Sequence, residues 1–149
     1  MRHRRLREPF TFFVDECLGR HQVPAALQGA LIDGEALVTR PQGTTDEAWL
    51  VEAGERWVCL TKDHALKRRP NELAAICRAG AAVFMLSDAS GEEQVRRILA
   101  ALPVVRRVAR THDLAVIARI EDEGRILVLY EAGEPLATPK RLRPKANER

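Results

Sequence analysis

Phe10-Thr11-Phe12-Phe13-Val14-Asp15 is a run of β-branched and aromatic residues that ends abruptly in an acid. Such side chains fit a pleated, packed surface, and a run this short and uniformly apolar reads as a buried strand. The chain then changes period. Val23, Leu27 and Leu31 recur every four residues with Ala25, Ala26 and Ala30 between them, which predicts a helix that accepts Pro24 in its first turn.

The same alternation continues outward. Ile32 to Arg40 reads two ways, since Asp33-Gly34 is a turn signal while Ala36 to Thr39 can form a short strand. Pro41-Gln42-Gly43 is loop, and Thr44 or Thr45 can cap a helix through Asp46, Glu47, Trp49, Leu50 and Ala53. Trp57 to Leu60 is a second buried-strand signature, followed by Thr61-Lys62-Asp63. Pro70 opens a helix with Leu73, Ile76 and Cys77 on one side. Gly80 leads into the strand Ala82 to Leu86, and Gly91 precedes a helix with the stripe Val95, Ile98, Leu99 and Leu102. Val104 to Val108 reads as a further short helix. Val116 to Ile120 and Arg125 to Tyr130, split by Asp122-Glu123-Gly124, read as a hairpin or edge addition. Strands alternating with helices predict a three-layer α/β fold around a mainly parallel sheet, with ligand chemistry at the carboxyl ends of its strands.

A chain of 149 residues, 46% hydrophobic and 30% charged, fits one globular domain. No stretch has the roughly 18 apolar residues of a membrane span, and no apolar signal region follows the basic start, so a cytoplasmic protein is expected. Cys17, Cys59 and Cys77 are widely spaced and lack zinc-site histidines, which predicts free thiols. Gly-x-Gly-x-x-Gly is absent, which argues against dinucleotide binding. The net charge of +3 is uneven. Residues 1–8 carry a net +3 and residues 138–149 a net +4, leaving an acidic body. The expected organisation is a basic arm (1–9), a folded domain (10–137) and a basic tail (138–149).

If the first two strands are neighbours, Asp15 and Asp63 share one edge of the sheet, and the helix that begins near Asp46 can approach it. Carboxylates crowded together repel unless a cation neutralises them, and their hard oxygens suit Mg²⁺ or Mn²⁺. Glu16 is a plausible additional ligand, and the Thr61 hydroxyl is suited to orienting a carboxylate or water. Around Asp63, Lys62, Lys67, Arg68 and Arg69 form a basic run suited to phosphates, with His64 beside them. A noncatalytic nucleic-acid-binding or partner-binding domain is the alternative, drawn from the Arg-rich termini and from Arg96, Arg97, Arg106, Arg107 and Arg110.

Three blocks, Phe12-Phe13-Val14-Asp15-Glu16-Cys17-Leu18, Gly43-Thr44-Thr45-Asp46-Glu47-Ala48-Trp49-Leu50 and Trp57-Val58-Cys59-Leu60-Thr61-Lys62-Asp63, resemble the acidic blocks of the PIN-like nuclease superfamily. Within it they are most similar to small proteins related to VapC-type toxins and the Mut7-C group. The resemblance implies a PIN-like α/β/α sandwich in which Asp15, Asp46 and Asp63 hold Mg²⁺ or Mn²⁺ for RNA phosphodiester hydrolysis. It further implies RNA as substrate, a homodimer and, for toxin relatives, an antitoxin partner. Such nucleases commonly use a fourth acid, for which Glu16, Glu47, Asp88 and Asp113 are candidates.

Overall fold

The computed structural model describes residues 4–19, 21–39, 54–62, 70–87 and 89–149, and for Glu16 the backbone alone. The predicted alternation folds into one seven-stranded sheet, β1 (Thr11–Val14), β2 (Ala36–Thr39), β3 (Trp57–Lys62), β4 (Ala82–Leu86), β5 (Val116–Ile120), β6 (Ile126–Glu131) and β7 (Glu134–Leu142). Their spatial order is β2-β1-β3-β4-β5-β6-β7. The first five run parallel to one another, whereas β6 and β7 are added antiparallel. Among the described residues the α-helices are α1 (Gln22–Ala30), α2 (Pro70–Ala79) and α3 (Gly91–Thr111), and the helix expected through Asp46 to Ala53 lies outside them.

Successive strand residues face opposite sides, which divides the core in two. Phe12, Val14, Val58, Leu60, Phe84, Ala118 and Ile120 pack with Val23 and Leu27 of α1 and with Ile98, Leu102, Val105 and Val108 of α3. Phe13, Trp57, Cys59, Val83, Met85 and Ile117 pack with Ile76 of α2 on the other side. The result is the expected α/β/α sandwich. Ala36–Thr39 resolves as a strand because it pairs in register with β1, Thr11 opposite Ala36 through Val14 opposite Thr39.

Val104 to Val108 is not a separate helix. One 21-residue helix runs through Pro103. An internal proline costs about 3 kcal/mol, but Val104, Val105 and Val108 are fully buried beyond it, and each buried valine contributes about 1.5–3 kcal/mol. Burial outweighs propensity there. The buried stripe also excludes Leu99, which is 38% exposed.

Two glycines are required by geometry. Gly80 ends α2 at φ +67°, and Gly124, at φ +74° in the β5–β6 connection, would place a Cβ 2.5 Å from the Ala100 carbonyl oxygen. The Ala132-Gly133 turn, with φ of 54° and 74°, reverses β6 into β7. β7 runs through residue 142, across the position where the sequence places the start of the basic tail. Tail cations are paired: Arg141 with Glu121 at 2.7 Å and Lys140 with Glu131 at 3.3 Å. The tail in turn supplies Glu148, which binds both Nε and a terminal nitrogen of Arg107 at 2.7 Å.

The arginines of α3 therefore mostly brace the fold. Arg106 lies inside it, bonded to both Glu35 carboxylate oxygens at 3.0 and 2.9 Å and to the Ala30 carbonyl at 3.1 Å. Arg97 and Arg96 hold Glu93, and Arg110 lies 3.5 Å from Glu8.

Candidate functional site

The carboxyl end of β1 meets the carboxyl end of β3 because the two strands are adjacent and parallel, with Phe13 opposite Cys59 and Val14 opposite Leu60. One residue further, that register sets Asp15 beside Thr61. Pleating turns both to the α2 side and carries Lys62 to the other side. The Thr61 hydroxyl donates to Asp15 Oδ2 at 2.7 Å. The Asp15 N–H donates to the Leu60 carbonyl at 3.0 Å, and the Asp15 carbonyl accepts from the Leu18 N–H at 3.0 Å. That last bond closes a 3-10 turn, Glu16–Leu18, anchored by buried Leu18.

The turn folds Cys17 back over the site. Its Sγ lies 3.4 Å from Thr61 Oγ1. Since the single Thr61 hydroxyl hydrogen goes to Asp15, the thiol is the donor in this contact. Burial, with the negative charge of Asp15 adding to it, pushes the Cys17 thiol up to about 11. Cys17 is thus a neutral thiol at pH 7, and the order of the chain is Cys17 S–H to Thr61 O–H to Asp15 carboxylate. Cys59, fully buried beneath, is raised for the same reasons, and all three cysteines are free. Sequence reading placed Cys17 among free buried thiols without a role. Its spacing, two residues past a strand-end acid, was the signal that a tight turn returns it to that acid.

Asp15 is half-buried and anchored through one oxygen. A carboxylate offers hard oxygens of the kind a divalent cation takes. The donor chemistry therefore fits Mg²⁺ or Mn²⁺. Asp46, Asp63, Lys67, Arg68, Arg69, His64, Glu47 and Asp88 lie outside the described residues, as does the Glu16 side chain. Among the described residues no three His, Cys, Asp or Glu side chains gather as a metal site. Asp113 lies at the opposite end of the sheet, just before β5, where it pairs with Arg5 at 3.1 Å. That position removes it from the neighbourhood of Asp15.

No helix among the described residues is long and apolar enough to cross a membrane. Comparison with curated proteins and with solved structures finds no match. The sequence model of the PIN-like domain family, by contrast, matches residues 10–88, just over half the chain. That span begins with β1, ends just beyond β4 and includes Asp15, Asp46, Thr61 and Asp63. The chain belongs to the PIN-like domain family.

Proposed function

We propose that this PIN-like domain is a divalent-metal-dependent endoribonuclease whose metal is held by Asp15, Asp46 and Asp63. The family is of nuclease type, which makes nucleic acid the class of substrate. The observation that carries the finer reading is Asp15 itself: a strand-end carboxylate held through one oxygen by the Thr61 hydroxyl at the carboxyl end of the sheet.

The chain's own residues have separable tasks. Asp15, Asp46 and Asp63 supply oxygen ligands, with Glu16 as an outer member. Thr61 holds the Asp15 carboxylate in one rotamer, and Cys17 holds Thr61. Lys62, Lys67, Arg68 and Arg69 neutralise and position the phosphates of RNA. A bound Mg²⁺ or Mn²⁺ supplies a water of lowered pKa and stabilises charge gathering on the phosphate oxygens. A toxin role, with a homodimer and a small antitoxin protein as partner, is consistent with this chemistry.

The test is incubation of the purified chain with structured and single-stranded RNAs in Mg²⁺, Mn²⁺ or EDTA. Cleavage that needs metal and disappears in Asp15→Asn and Asp63→Asn is the expected result. RNA binding without metal-dependent cleavage overturns the nuclease reading and favours a noncatalytic binding domain.

A further inference from the structure

The end of the sheet opposite Asp15 carries a second polar feature. The N-terminal arm is docked there: Leu6 is 6% exposed in the core, and the Leu114 N–H donates to the Arg4 carbonyl at 2.8 Å. With its backbone fixed, the arm presents Arg4, Arg5 and Arg7 along one wall of a cavity of about 990 Å³, which Glu55, Arg56 and Asp113 complete. Four guanidinium groups against two carboxylates leave two positive charges in excess.

The two acids divide the arginines into two kinds. Arg4 is tied to Glu55 at 2.6 Å and Arg5 to Asp113 at 3.1 Å, which orients them and shapes the groove. Arg7 and Arg56 are exposed and carry no ion pair among the described residues. Arg56 stacks over the buried Trp57 ring at 5.8 Å, and Trp57 stacks in turn on Phe13 at 5.9 Å. Its guanidinium is thereby supported on a packed surface while Arg56 stays exposed. A planar fork held this way suits phosphate, and the groove is far larger than one phosphate group.

We propose that this groove is a second nucleic-acid contact, which binds the backbone phosphates of single-stranded RNA about 20 Å from the Asp15 end, one strand length away. The choice of RNA rests on the nuclease reading above, while the anionic, extended character of the ligand rests on the groove alone. Binding here is independent of sequence and of metal, since it goes to phosphates through guanidinium groups.

The experiment measures fluorescence anisotropy of a labelled RNA of about 12 nucleotides, in EDTA, across a salt series, with the full chain. Arg7→Ala/Arg56→Ala is expected to weaken binding at least about 5-fold and to reduce the salt slope by about 1.4, two single-strand phosphate contacts. Arg7→Lys/Arg56→Lys should recover most of the slope, and Arg96→Ala/Arg149→Ala should leave it unchanged. An unaltered affinity and slope in Arg7→Ala/Arg56→Ala overturns the proposal. So does displacement of the RNA by polyglutamate of matched charge as effectively as by unlabelled RNA, because the groove is then a site for an acidic protein segment. Loss of RNA binding in these variants with no cleavage by the unmodified chain sinks the nuclease reading and leaves the groove standing. Cleavage with an unaffected salt slope does the reverse.

Discussion

Two carboxylates close to β1 have opposite surroundings. Glu35, in the turn that leads to β2, has a side chain only 1% exposed, takes both arms of Arg106 and accepts the Ile32 N–H at 2.9 Å. Arg106 is itself 6% exposed and lies 5.9 Å above the Phe12 ring. Asp15, at the far end of the same strand, is half-buried and, among the described residues, takes the Thr61 hydroxyl on Oδ2. One acid is fully absorbed by the fold and the other is left with charge to spare. An acid's chemical availability thus depends on which donors the tertiary structure brings to it.

The contrast breaks most sharply at Arg106. Arg106→Ala strands a buried carboxylate, and chemical denaturation is expected to show a loss of about 3–5 kcal/mol. Arg106→Met/Glu35→Leu removes both charges and should recover much of that loss. At Asp15 the expected effect is on activity. Asp15→Asn keeps an acceptor for Thr61 but removes the charge, so RNA cleavage should fall at least about 100-fold while the thermal midpoint does not drop. A large fall in stability in this variant would make Asp15 a structural acid like Glu35.

Thr61→Val sharpens the comparison by removing the hydroxyl that donates to Asp15 Oδ2. A decrease of about 10-fold in metal affinity or kcat is expected, with KM for RNA little changed and recovery in Thr61→Ser. The smallest effect concerns His112, which is buried with Nε2 unpartnered among the described residues while Nδ1 lies 2.9 Å from the Thr111 hydroxyl. Burial lowers its pKa, helped by Lys140 and Arg5 and opposed by Glu131 and the Val108 backbone contact. The unfolded chain therefore binds this proton first. Its contribution to stability is complete above about pH 6.5 and is lost as pH falls from there through the lower folded value. His112→Phe should flatten that part of the stability profile.

Much of the fold was legible in pattern. The runs Phe10–Val14, Trp57–Leu60 and Ala82–Leu86 are too short and too apolar for exposed helices, and the glycines and prolines between them mark the joints. Pattern failed at Pro103, where local rules end a helix and the packing of Val105 and Val108 carries it on. It also failed for the α3 arginines, which look like a solvated or RNA-binding face. Only the return of Glu35 and Glu148 from distant positions turns Arg106 and Arg107 into structural braces.

By itself the sequence determined the alternating elements, the uneven charge and the position of Asp15 at a strand end, because burial and periodicity are local signals. Tertiary structure alone decided that Thr61 and Cys17 form a hydrogen-bonded chain to Asp15, and that Asp113 belongs to the other end of the sheet. The physical reason is register. A contact 46 residues apart depends on which strands lie side by side and which residue faces which, and no spacing within the chain encodes that directly.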